Sequence, residues 1–99
     1  MNKNKILSIL GLCKKSGNLS IGFDSCIESV KQKKSQLILI TKDLSEKTMQ
    51  KLFTQVEKNM VCFTEFSMDD INSMLGKSSG IVSINDSGFA NKIKSLLNF

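Results

Sequence analysis

"LILIT", residues 37–41, is an unbroken run of apolar and β-branched residues of strand length. A strand with one wet face alternates polar and apolar residues, so a run without alternation predicts a strand covered on both faces. Such a strand needs helices on both sides, and the flanking sequence supplies them. Upstream, Phe23, Cys26, Ile27 and Val30 fall at i, i+3, i+4 and i+7, with Lys31, Lys33 and Lys34 loading the negative end of the helix dipole. Downstream, Asp43 or Ser45 can cap a helix whose apolar stripe is Met49, Leu52, Phe53 and Val56, with Asn59 as its end.

The same grammar continues toward both termini. Ile6, Leu7, Leu10 and Cys13 mark a first helix, stopped by "KKSG" at residues 14–17. "MVCF", residues 60–63, predicts a short buried strand. In "SMDDINSMLG", residues 67–76, Ser67 and Asp70 form a capping-box variant, Met68, Ile71, Met74 and Leu75 turn inward, and Gly76 stops the helix. "KSSG" is then a loop, "IVSI" a strand, and "NDSGFANKIKSLLNF" a closing helix capped by Asp86 with Phe89, Ile93, Leu96 and Leu97 inward. "NLSI", residues 18–21, adds a short edge strand. Alternating helices and strands with right-handed crossovers predict an α/β fold, a three-layer α/β/α sandwich around a small sheet. With neither linker nor repeat, residues 1–99 are expected to form one domain.

Absent residue types narrow the chemistry. The chain has no histidine, so it offers no Ser-His-Asp or Cys-His nucleophile and no His-containing zinc site. All 14 basic residues are lysine, which leaves no guanidinium fork for bidentate contact to guanine. Net charge is +5, and the excess lies in residues 1–42, where eight lysines face only Asp24 and Glu28. That half is the candidate to meet a polyanion. Cys13, Cys26 and Cys62 are odd in number and widely spaced, which predicts buried thiols in a reducing cytoplasm rather than a disulfide or zinc scaffold. The apolar run near the N-terminus is broken by Ser8 and followed by Lys14 and Lys15, so neither a signal peptide nor a membrane span is expected.

Three loops are candidates for function, at residues 17–22, 41–45 and 76–80. Gly22 opens a helix, where free N–H groups can meet an anion and a missing side chain lets a bulky backbone come close. It also suits a plain turn, and local sequence does not choose between the two. Lys42 and Lys77 stand in the other loops.

The segments "ILGLCKKSGNL", "GFDSCIESVKQKKSQLILITKDLSEKTMQKL" and "INSMLGKSSGIVSINDSGFANKI" resemble the L-seven-Ae-type ribosomal protein family, and most closely its bacterial YlxQ-like branch. The resemblance runs over about residues 6–97, with "LGL-x-KK-x-G" and "ND-x-GFA-x-KI" its more specific parts. It implies a mixed four-stranded sheet in an α/β/α domain and binding to RNA, typically at a kink-turn with sheared G·A pairs. It also implies where recognition falls: the start of the second helix, the loop after the next strand and the loop before the last strand.

Against that pattern, Gly22 is retained, but Asp24 stands where the kink-turn binders have Asn, Ser25 where they have Glu, and Glu28 where they have Lys. An Asn amide donates and accepts, whereas a carboxylate only accepts and brings negative charge toward phosphate. "KSSG" replaces an apolar loop. The sequence therefore predicts a small non-catalytic RNA-binding protein, ribosome-associated or bound to structured, kink-turn-like RNA. Its expected contacts are Gly22, Asp24, Ser25, Glu28, Lys31, Lys33, Lys34, Lys42, Lys77 and Ser78, and RNA contact can also shift toward Lys14 and Lys15. Expected partners are RNA and the ribosome or translation and transcription factors, with a cytoplasmic monomer, no membrane, no cofactor and no metal. The alternative is a protein-interaction adaptor that has lost kink-turn recognition. An enzyme is disfavoured, because Asp69 and Asp70 point apart on a helix and Asp24 with Glu28 is a weak cation site.

Overall fold

The run that predicted a doubly covered strand forms β2 of the computed structural model, in which residues 2–97 are described. In chain order the elements are α1 (Lys3–Lys15), β1 (Leu19–Ile21), α2 (Phe23–Lys31), β2 (Leu37–Ile40), α3 (Glu46–Phe53), β3 (Val61–Phe63), α4 (Met68–Leu75), β4 (Ile81–Ile84) and α5 (Ser87–Leu97). Met1, Asn98 and Phe99, which belong to the expected 1–99 domain, lie outside the described residues. The strands form one mixed sheet in the order β1-β4-β2-β3, with β2 parallel to β3 and β4 antiparallel to both β1 and β2.

All four residues of β2 and all four of β4 are buried. Alternation along β2 sends Leu37 and Leu39 to one face and Ile38 and Ile40 to the other. On the first face they join Ile6, Leu10, Ile71 and Ile93 from α1, α4 and α5. On the second they meet Cys26, Ile27 and Leu52 from α2 and α3. Each fully buried aliphatic side chain of this kind contributes about 1.5–3 kcal/mol. The three-layer α/β/α sandwich follows from that two-sided burial, and "NLSI" is indeed the edge strand β1.

Around α3 the structure departs from the pattern reading, and local hydrogen bonds are the cause. The third helix ends at Phe53 rather than Asn59, because Thr54 Oγ1 donates to the Lys51 carbonyl at 2.7 Å and the Gln55 N–H turns back to Leu52 at 2.9 Å. Val56 is still buried beyond it, while Asn59 lies in a 3₁₀ turn over Lys58–Met60. Ser45, not Asp43, caps α3, accepting from the Thr48 N–H. The Asp43 carboxylate instead accepts from the Met68 N–H at 3.1 and 3.2 Å, tying the loop after β2 to the start of α4. Met74, expected inside, is 43% exposed.

Candidate functional site

The parallel run of β2 beside β3 and the antiparallel return of β4 bring several connections to one end of the sheet. The Gly22 N–H donates to the Ile81 carbonyl at 2.9 Å, Thr41 N–H to Gly80 at 2.9 Å, and Lys42 N–H to Phe66 at 2.8 Å. The start of α2 and the loops at residues 41–45 and 76–80 therefore share one surface. Gly80 is pinned in place, since a Cβ there would lie 2.6 Å from Leu44 Cδ1 and 2.9 Å from Met68 Cε. The expected loop at residues 17–22 does not hold as one unit: Leu19–Ile21 is strand β1, which separates Gly17 from Gly22 at opposite ends of the sheet.

Gly22 is the N-cap of α2 at φ 102°, ψ 159°, a conformation open essentially to glycine alone. A Cβ built there would meet nothing within 4 Å, so the backbone faces open space. No side chain caps the helix, and among the described residues the N–H groups of Phe23, Asp24 and Ser25 have no acceptor. The turn requires glycine, and it leaves the first N–H groups of the helix uncovered. Asp24 stands in the first turn, where its negative charge complements the dipole and opposes an incoming phosphate.

Asp24, Ser25 and Glu28 are exposed and lie along a groove of about 490 Å³ between α2 and β1 that reaches Lys34. Its floor is a hydroxyl and amide network. Ser20 Oγ and Ser29 Oγ are 2.6 Å apart, and Asn85 Nδ2 donates to them at 2.9 and 3.2 Å. Asn85 Oδ1 accepts from buried Ser83, which in turn meets Ser35. This chain of bonds satisfies the polar residues that the apolar pattern of β4 and α2 did not account for. Glu28 accepts from Gln32 Nε2 at 2.8 Å, one turn on.

The remaining predicted residues divide into two groups. Lys42, Lys77 and Ser78 are exposed in the loops beside Gly22's end of the sheet. Lys31, Lys33 and Lys34 lie at the other end of α2, about 13 Å away along a nine-residue helix. There the N–H groups of Gln32, Lys33 and Lys34 close the helix on Glu28, Val30 and Ser29, a Schellman arrangement with Lys33 at φ 61°. Lys14, the alternative contact, donates instead to the Leu75 carbonyl at the end of α4.

Phe63, which the sequence reading placed in a buried strand, is instead 61% exposed, with its ring 6.3 Å from Phe53, while Val61 and Cys62 of the same strand are buried. It ends β3, an edge strand of the sheet. Phe23 packs on the second core, with Lys51 Nζ 4.8 Å from its ring centroid. The three thiols are free and buried. Burial pushes Cys26 up to about 12 and, joined by the charge of Asp86, Cys13 up to about 11; burial also raises Cys62. Among the described residues, no group of three or more His, Cys, Asp or Glu side chains is placed to hold a metal ion. None of their helices is long and apolar enough to cross a membrane.

The fold defines a small α/β/α sandwich protein with a mixed four-stranded sheet, and comparison with known proteins places it in a family. The profile of the Ribosomal protein L7Ae/L30e/S12e/Gadd45 family matches residues 4–94, and the chain belongs to that family. Within it the chain is YlxQ-like. It is 32% identical over 97 residues to a protein of Enterococcus faecium named RNA-binding protein YlxQ, spanning 97% of this chain and 94% of that one. It is 30% identical over 94 residues to the protein of the same name from Bacillus subtilis (strain 168), spanning 90% and 91%. A solved structure of a protein with unknown function from Bacillus halodurans C superposes with a TM-score of 0.83 at 22% identity, covering 96% of this chain and 98% of that one, which shows the shared fold.

Proposed function

We propose that this chain is a small non-catalytic RNA-binding protein that works as one cytoplasmic domain. It holds structured RNA, of the kind found in ribosomes, against the start of α2 and the loops at residues 41–45 and 76–80. The observation that carries this reading is the uncapped N-terminus of α2 behind Gly22, set beside those two loops. Free backbone donors at a helix N-terminus suit a phosphate, and the exposed Lys42 and Lys77 add attraction. The name of the two YlxQ relatives points the same way.

Kink-turn recognition is weak in this reading. Asp24 and Glu28 place two carboxylates on the rim of the groove, where they accept hydrogen bonds from base amines but repel phosphate. Lys31, Lys33 and Lys34 act as a separate cationic end that meets backbone farther along the RNA.

Direct titration against one kink-turn RNA at fixed salt, with a hairpin lacking the G·A pairs as control, tests this. The triple substitution Asp24→Asn, Ser25→Glu and Glu28→Lys is expected to improve kink-turn binding by about 1–3 kcal/mol, the scale of one or two charge-assisted contacts. Tight, selective binding by the unaltered protein would show that these residues do not weaken recognition. If neither protein prefers the kink-turn to the control, the α2 face is not the kink-turn site, and the adaptor reading gains.

A further inference from the structure

The motif "LGL-x-KK", residues 10–15, takes no part in the face built on α2. It lies in α1, in the helical layer on the opposite side of the sheet. Between α1 and α4 opens a concavity of about 680 Å³ walled by Gly11, Leu12 and Met74, with Ser8, Lys14 and Lys15 at its margin. Leu12 is 58% and Met74 43% exposed, two of the three large apolar side chains left open to solvent among the described residues. No carboxylate lines the groove.

Gly11 sits inside a 13-residue helix, where glycine is a poor helix former. Packing does not demand it: a Cβ there would make ordinary contact, 3.6 Å from Met74 Sδ. What the missing side chain provides is a bare floor between two exposed apolar side chains, one of them a thioether that adapts its shape to what it meets. Lys14 is held by its bond to the Leu75 carbonyl. An ammonium carries three donors, so two remain at the groove's margin beside exposed Lys15.

We propose that this groove docks an acidic amphipathic segment of a partner protein. An apolar side chain of the segment lies over Gly11 between Leu12 and Met74, and a carboxylate meets Lys14 and Lys15. The lining contains no aromatic ring on which a base could stack, which favours a protein over RNA as occupant. A second copy of a chain carrying net charge +5 would bring repulsion rather than complementary charge. Because the groove and the α2 face lie on opposite layers, one molecule can hold RNA and the partner segment together.

The test uses the full chain, labelled for NMR, and a synthetic helical peptide with leucine on one face and glutamate on the other. A peptide with every glutamate replaced by lysine is the control. The acidic peptide is expected to shift Gly11, Leu12, Lys15 and the Met74 methyl while leaving α2 unmoved, and Leu12→Glu is expected to weaken it at least tenfold. Gly11→Ala separates a docking role from a structural one. It should raise Tm by about 4 °C, as a better helix former, yet lower peptide affinity several-fold. Absence of these shifts, equal binding of the lysine peptide, or unchanged affinity in Gly11→Ala overturns the proposal. So does displacement of the peptide by RNA, or self-association of the chain through Leu12.

Discussion

Helices α2 and α4 have nearly the same length, nine and eight residues, and solve the same problem in opposite ways. Every helix begins with N–H groups, and ends with carbonyls, that its own turns cannot pair. At α4, Ser67 Oγ accepts from the Asp70 N–H at 3.1 Å, Asp70 returns the bond to the Ser67 N–H at 2.9 Å, Asp43 takes the Met68 N–H, and Gly76 closes the other end at φ 74°. At α2 no side chain caps the start, and a lysine occupies the left-handed position at the end. One helix has both ends closed by the residue types that suit them best. The other leaves its first N–H groups uncapped and closes its far end with a left-handed lysine in place of glycine.

The contrast can be broken most severely at Gly22. Gly22→Ala forces a side chain into a backbone region reserved for glycine, at a cost of about 1–3 kcal/mol in urea or thermal unfolding. A smaller loss would mean that the β1–α2 turn relaxes to another geometry. Next comes Ser67→Ala, which opens one end of α4 and is expected to cost about 1 kcal/mol. No comparable loss is expected for Ser25→Ala at the start of α2, which provides the control.

Lys33→Gly sharpens the comparison from the other side. Relief of the left-handed lysine should stabilise the protein by about 0.5–1 kcal/mol, while the lost charge lowers the salt slope of RNA binding by about one unit. Higher stability with an unchanged slope would leave Lys33 without a role in binding. The smallest effect belongs to Asp70, whose carboxyl is held down at about 2 by the Ser67 N–H and then by Lys3, 2.9 Å away. A depressed carboxyl contributes its stability above its ordinary value of 3.8 and loses it as pH falls toward 2. The difference in Tm between the protein and Asp70→Asn should therefore be present at neutral pH and vanish across that acid window. A difference that persists below it would assign the effect to shape rather than charge.

Much of the architecture was legible because apolar periodicity is a direct imprint of burial. "LILIT" announced a two-sided strand, Ile6 to Cys13 a helix face, and Ser67 with Asp70 a capping box, and each is found where the pattern placed it. The errors fall where short-range patterns compete. Val56 continued the stripe of α3, yet the Thr54 hydroxyl had already ended the helix. Met74 fitted the inward face of α4, yet the groove left it exposed beside Gly11 and Leu12. The candidate site was only partly legible for the same reason. Local sequence marked Gly22 at the start of α2 and Lys31, Lys33 and Lys34 at its end, but nothing local in it joined Gly22 to Ile81 or Thr41 to Gly80.

What the sequence by itself determined is what one segment can specify alone. It set the helix and strand periods, the caps, the burial of the thiols and the exclusion of histidine and arginine chemistry. Strand order, the joining of Gly22 to Ile81 and of Thr41 to Gly80, and the network from Ser20 through Asn85 to Ser35 were decided only by tertiary structure. These contacts pair residues up to 65 positions apart. A hydrogen bond at such separation depends on the sheet that brings its partners together and must offset the entropy of closing a long loop, so no local pattern encodes it.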